Sequence, residues 1–221
     1  MDDEEILKSF PRTRTTKKSS TTQLRIIDAY LSLMETTDFD KVSVSDIVQK
    51  AGVTRSTFYA YFEDTYDAIE YVENELVAHM PKPKENSAQH APVSIAQPPT
   101  VEQCEAPSWY TEWFSYIEYF QWQFGVLLSP HGNAQFPHKI KKTVREAHRV
   151  QTHLDGFNDE ELQAKLLNAL ADFQLRMARD FIRSRQSSKD DVAIELPVYA
   201  INAIRVGGWY LRHIGAVAPC A

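Results

Sequence analysis

Leu24, Ile27, Leu31 and Met34 recur at spacings of three and four, so the segment that begins at Thr21 is apolar along one side only. That interval is the helical period and predicts an amphipathic helix with one buried stripe. Ser20, Thr21 or Thr22 supplies a capping oxygen at its start, and Asp38-Phe39-Asp40 breaks it. Further helices are predicted at about 43–50, 54–61 and 63–79, the last ended by Pro81 and Pro83, which cannot continue a helix. Beyond Pro107 the pattern predicts helices at about 108–129, 137–154, 158–186 and 191–214, separated by Pro130-His131-Gly132, Asp155-Gly156 and Ser187-Ser188. No Val, Ile or Thr run alternates with period two, so the expected fold class is all-α.

Between these segments lie two stretches with little to bury. Residues 1–20 are rich in Ser, Thr, Lys and Arg and read as a flexible basic arm. The segment 81–107 carries Pro81, Pro83, Pro92, Pro98, Pro99 and Pro107 among Ala, Gln, Glu and Ser, and reads as a linker or long loop. The resulting division is a basic arm at 1–20, a small helical domain at 21–80, the Pro-rich linker at 81–107 and a larger helical domain at 108–221.

The densest local signals lie in "SVSDIVQKAGVTRSTFYAYF", residues 43–62. Ser43 followed by Asp46 has the Ser-x-x-Asp form of a capping box. Val44, Ile47 and Val48 give the short helix an apolar side, and Ala51 allows close helix approach. Gly52 can take the positive φ that ends a helix, Val53 plugs the corner, and Thr54 caps the helix that follows. Phe58 and Phe62, four apart, turn one face to the core. At about 100° per residue, Ser56, Thr57, Tyr59 and Ala60 then face outward, with Arg55 at the first turn. A small, hydroxyl-rich outer face with a cation at its N-terminal end suits a DNA major groove: the helix sits deep, hydroxyls bond phosphate, and Arg grips backbone or guanine. Two helices on a tight glycine turn form a helix-turn-helix unit. A plain helical hairpin is the alternative reading.

Charge changes the picture locally. The net charge is −6, from 24 basic and 30 acidic residues, which by itself speaks against nucleic acid. Yet Lys8, Arg12, Arg14, Lys17, Lys18 and Arg25 span 8–25 without an acid. A cationic arm beside a recognition helix reaches across backbone or into the minor groove, although a solvated tail has the same composition. Cys104 and Cys220 are far apart and lack neighbours at metal spacing, so a reduced cytoplasmic setting is the simplest reading and no metal or other cofactor is expected. No run reaches the roughly 18 apolar residues of a membrane span. The sequence lacks a Gly-rich phosphate loop, Gly-x-Ser-x-Gly and HExxH, and the acid pairs Glu160-Glu161 and Asp190-Asp191 sit where helix starts favour them. No catalytic residue is read, and the chain is not expected to be an enzyme.

Residues 22–76, through "TQLRIIDAYLSLME" and "FDKVSVSDIVQKAGVTRSTFYAYFEDTYDAIEYV", resemble the DNA-binding domain of TetR-type transcriptional regulators. The resemblance implies an N-terminal three-helix helix-turn-helix domain and a C-terminal helical domain for ligand binding and dimerisation. It implies a homodimer, most simply a repressor, whose recognition helices enter successive major grooves of a palindromic double-stranded DNA operator. Ser43 and Thr54 would contact phosphate from helix starts, Arg55, Ser56 and Thr57 would line the base and backbone edge, and Tyr59 and Tyr61 would reach phosphates. Members commonly carry Lys at the start of the fourth helix, where this chain has Thr65 between Asp64 and Asp67. Arg12, Arg14, Lys17 and Lys18 of the arm are expected to compensate. A rival reading keeps the scaffold but has it act through a protein partner, as a co-activator or nucleoid-associated protein.

In the C-terminal half, "SWYTEWFSYIEYFQWQFGVLL" carries Trp109, Tyr110, Trp113, Phe114, Tyr116, Tyr119, Phe120, Trp122 and Phe124 on every side of its helix, which predicts extensive burial. These rings either fill the core or wall a cavity for a small apolar or aromatic ligand, with Trp113, Phe120 and Gln123 as candidate contacts. His138, His148 and His153 are off metal spacing and read as surface or hydrogen-bonded histidines. Ala169, Ala171, Ala178, Ala203, Gly207 and Gly208 in the last two helices suit either a dimer seam or packing within the chain.

Overall fold

The computed structural model describes residues 17–83, 104–154, 160–187 and 193–213. Arg12 and Arg14 lie outside the described residues, as does most of the Pro-rich segment. Regular structure among the described residues is helical throughout: α1 (Lys17–Met34), a 3-10 turn (Phe39–Lys41), α2 (Val44–Ala51), α3 (Arg55–Tyr59), α4 (Thr65–Ala78), α5 (Ser108–Tyr119), α6 (Gln121–Leu127), α7 (Gln135–Leu154), α8 (Glu160–Ser187) and α9 (Glu195–His213). They form two packing units, one of Met1–His79 with Trp122–Lys139, the other of Met80–Gln121 with Ile140–Ala221.

Two boundaries depart from the sequence reading. α1 starts at Lys17, so Thr21 and Thr22 lie inside the helix and Lys17–Ser20 belong to it rather than to the arm. Lys, Ser and Thr carry no strong helix-breaking cost, so the helix extends past its apolar stripe. The helix anticipated at 108–129 is interrupted at Phe120, with φ −100° and ψ 28°, where the chain passes from one packing unit to the other.

In the first unit, the stripe of α1 is wider than its periodicity suggests. Ile27, Leu31 and Met34 are buried as anticipated, Leu24 is half-buried, and Ile26, Ala29 and Tyr30 are buried with them. Ile47 of α2, Phe58 and Phe62 around α3, and Ile69, Val72 and Leu76 of α4 complete this core. Each fully buried side chain of this size contributes roughly 1.5–3 kcal/mol relative to exposure.

Residues 122–139 are bound into the same unit by polar ties that periodicity does not announce. The Trp122 indole donates to Glu35 Oε1 at 2.6 Å, His131 Nδ1 lies 2.7 Å from Asp38 Oδ1, and the Phe39 amide donates to the His131 carbonyl at 2.9 Å. Tyr30 donates to the Phe39 carbonyl at 2.9 Å and holds the turn that carries Asp38 and Phe39. Phe124 and Phe136 stack with centroids 5.9 Å apart. At Gly132 an added Cβ would collide with the Leu127 backbone, so the turn closes only without a side chain. Lys139 Nζ sits 3.0 Å from Glu73 Oε2, a charge pair without a well-aligned hydrogen bond, and donates to Asn74 at 2.9 Å. Burial raises the Glu73 pKa, and Lys139 offsets this in part.

The second unit has an aromatic core. Trp109, Tyr110, Trp113, Phe114, Tyr116 and Phe120 of this unit are all buried. Against them lie Val144 and Ala147 of α7, Leu170, Leu175 and Phe181 of α8 and Ile201 of α9. Ala171 and Ala178 are buried within the chain, whereas Ala169 and Ala203 are exposed and nothing lies within 4 Å of a Cβ built on Gly207. The small residues thus divide between packing inside the unit and open surface.

Candidate nucleic-acid interface

The candidate surface is built on two capped helix starts and one glycine. Ser43 has extended backbone, its hydroxyl accepts from the Asp46 amide at 3.3 Å, and the Ser43 amide donates back to Asp46 Oδ2 at 3.0 Å. The Ser43 hydroxyl also donates to Asp46 Oδ2 at 2.6 Å. These bonds form the capping box the sequence predicts, and they hold the Asp46 carboxyl below the usual carboxylate range.

α2 ends at Gly52, whose φ of 64° and ψ of 40° lie in the left-handed region. The Val53 amide reaches back to the Val48 carbonyl at 3.1 Å, in the manner of a Schellman closure. Arg25, counted from sequence among the arm cations, has a structural task instead. Its guanidinium donates to the Ala51 carbonyl at 2.6 Å, tying α1 to the end of α2, and a Cβ on Gly52 would stand 3.3 Å from it. The two residues are 26 apart in sequence, and no local pattern marks the pair.

Thr54 caps α3, accepting from the Thr57 amide at 3.1 Å. Its Oγ1 lies 2.8 Å from both Ser56 Oγ and Thr57 Oγ1, so three hydroxyls share one small network. Phe58 is fully buried and anchors the helix. Arg55 and Ser56 are exposed, and the Tyr59 ring is 56% exposed while its edge rests on Phe58, with centroids 5.6 Å apart. Thr57 is half-buried, with its hydroxyl turned to Thr54. α3 stops at Tyr59, so Tyr61 lies in the turn beyond it, half-buried, with its ring centroid 6.5 Å from that of Phe62. Arg55 Nη2 donates to Ser45 Oγ on α2 at 2.5 Å, so its guanidinium rests beside α2.

The structure therefore gathers Ser43, Thr54, Arg55, Ser56, Thr57 and Tyr59 around two adjoining helix starts. First-turn amides without intrahelical acceptors and the positive end of each helix dipole favour anionic oxygen there. The α4 start is acidic. Asp64 accepts from the Asp67 amide at 2.8 Å, and Asp67 accepts from the Glu63 amide at 2.9 Å. These carboxylates complete a cap where a phosphate-binding Lys is absent. Lys17 and Lys18 lie in the first turn of α1.

The candidate ligand contacts do not share one unit. Trp113 and Phe120 are buried in the second, and Gln123, half-buried, belongs to the first. The second unit instead holds a buried polar relay outside the sequence reading. Trp109 donates to Gln151 Oε1 at 3.0 Å, and His148 lies 2.7 Å from Gln174 Oε1 and 3.4 Å from the Tyr110 hydroxyl. Burial, with a smaller contribution from Arg205, depresses the His148 pKa to about 4. Its neutral ring suits a hydrogen-bonded core histidine, while His138 and His153 are exposed. Among the described residues no group of three His, Cys, Asp or Glu side chains is placed to hold a metal, and no helix is long and apolar enough to cross a membrane.

Residues 26–70 match the sequence family described as bacterial regulatory proteins, tetR family. The chain is 40% identical over 56 residues to the HTH-type dhaKLM operon transcriptional activator DhaS of Lactococcus lactis subsp. lactis (strain IL1403), covering 25% of this chain and 30% of that protein. It is 35% identical over 63 residues to the uncharacterized HTH-type transcriptional regulator YvdT of Bacillus subtilis (strain 168), covering 28% and 32%. Each match thus spans about a third of the relative's length. In fold, the chain is similar to a TetR transcriptional regulator from Streptococcus agalactiae 2603V, with TM-score 0.56 and 16% identity over 85% of this chain and 95% of that one. It is also similar to the dihydroxyacetone kinase operon activator DhaS, with TM-score 0.51 and 18% identity over 86% and 97%.

Proposed function

We propose, on the premise that this chain is a TetR-type transcriptional regulator, that it acts as a homodimer on a palindromic operator and is released by a small molecule. The observation that carries the DNA side of this reading is the exposed face of α3, where Arg55, Ser56 and Tyr59 stand beside the capped starts of α2 and α3. In the mechanism, the uncapped first-turn amides at those starts receive phosphates and fix the register, Ser43 exchanging its hydroxyl bond to Asp46 for one to phosphate and Thr54 donating from its hydroxyl network. Arg55 exchanges its bond to Ser45 for phosphate or guanine, and Tyr59 reaches the flanking backbone. Arg12, Arg14, Lys17 and Lys18 add counterion release. Two symmetry-related heads read half-sites about 34–36 Å apart, and an effector that changes their separation shifts the bound population.

The test is operator binding by fluorescence anisotropy with Arg55→Ala. The variant keeps the wild-type melting temperature and binds about 10-fold to 100-fold more weakly, the range of one good Arg contact. Binding that survives unchanged removes α3 from the interface.

Direction of control has a second reading. The relative that matches the head at 40% identity is named an activator. On that reading the dimer recruits the transcription machinery through a protein partner, without a small effector. Transcription in vitro from the bound operator separates the two: repression relieved by a metabolite fraction supports the first, and stimulation requiring a co-purifying protein supports the second.

A further inference from the structure

We propose that a cleft at the start of α9 binds a small hydrophobic cation. The cleft has a volume of about 600 Å³ and lies wholly within the second unit. That size suits a compact organic molecule. Its walls are mostly apolar, supplied in part by Ala106, Ile194 and Val198.

The polar groups set the sign. Glu105 and Glu195, both exposed, line the cleft, and none of its described lining residues is basic. Arg205, buried behind this wall, donates to the Glu105 carbonyl at 2.7 Å and to Asn202 Oδ1 at 2.9 Å. Asn202 in turn donates to the Cys104 carbonyl at 2.7 Å. These bonds clamp the backbone of 104–105 onto α9 and form the cleft wall. Tyr199, 66% exposed, lines the same wall. Two carboxylates beside one buried guanidinium leave the surroundings of this apolar cleft net negative, which favours a positive ligand and disfavours an anion, and a tyrosine ring at the wall adds attraction for a cation with weakly hydrated charge. A strongly hydrated inorganic cation gains nothing from the apolar floor, so the class is an organic ammonium bearing hydrocarbon.

The proposal is independent of the DNA reading, and its test uses no DNA. The full chain is titrated by calorimetry with phenyltrimethylammonium, its neutral isostere tert-butylbenzene and the anion 4-tert-butylbenzoate. The expected result is saturable binding of the cation, at least 10-fold tighter than the neutral molecule, with no binding of the anion. The doubly substituted Glu105→Gln, Glu195→Gln chain loses at least 10-fold in cation affinity, and Tyr199→Leu loses at least threefold. All three side chains are exposed, and the Glu105 carbonyl that Arg205 uses is untouched, so unchanged thermal melts accompany these losses. Equal binding of the cation and its neutral isostere overturns the proposal. So does unchanged affinity in the doubly substituted chain, or failure of the cation to bind at all, as when a second copy of the chain covers the cleft.

Discussion

Single residues at the candidate interface act through backbone geometry as much as through their own chemistry. Gly52 occupies the left-handed region at φ 64°, where a Cβ is strained, and the added carbon would also press on the Arg25 guanidinium at 3.3 Å. Gly52→Ala is therefore expected to destabilise the protein by about 1–2 kcal/mol, read from chemical denaturation. Operator affinity should fall as well, because Arg25 and Gly52 together fix where α3 leaves α2. The glycine was legible because it belongs to a local pattern: a cap at Ser43, an apolar side, then Ala51-Gly52-Val53 and the next cap at Thr54. Arg25 was not legible in its actual task. A cation in a basic run looks like an arm residue until the fold brings it beside a carbonyl 26 positions away.

Among elements, the short helices were readable and the long aromatic one only partly so. Capping boxes and glycine corners are written within a few residues, so α2 and α3 fall near their expected limits. The interruption at Phe120 has no proline or glycine to announce it. It reflects which unit each side chain packs into, a long-range choice. The pairing of α7 with α8 through His148 and Gln174 is of the same kind. Its consequence is a pH dependence of known sign. The folded-state pKa of His148 is depressed from 6.5 to about 4, so above pH 6.5 its titration adds no pH dependence to stability. As pH falls from 6.5 toward 4, the unfolded chain takes up a proton that the native core refuses. The native state then loses stability, by about 3 kcal/mol over the whole window for a fully buried group. In His148→Gln that acid limb should flatten between these pH values. Urea midpoints measured at pH 7, 6, 5 and 4 check it, and parallel curves for both proteins would show that His148 does not carry the effect.

For the whole molecule, the all-α class was legible because the 3.6 period dominates and no alternating run competes with it. The joining of residues 122–139 to the head was not, since chain order places them among the later helices. The proposed role of the arm belongs to this scale too, because it depends on long-range charge rather than on a pocket. Removing residues 1–16 takes away the two proposed arm contacts Arg12 and Arg14, together with Lys8, while leaving α1 complete. The expected result is weaker operator binding, with the slope of log affinity against log salt shallower by about 2. An unchanged slope in a titration over salt concentration would place these cations off the DNA.

The discontinuous first unit bears on how such a protein can be taken apart. A head excised at His79 would leave behind Trp122, His131 and Lys139, stranding Glu35, Asp38 and the buried Glu73 without their counterparts. Exchanging this helix-turn-helix head for another by a single splice near residue 80 therefore breaks one folded body in two. A faithful transplant has to carry the later segment as a second graft.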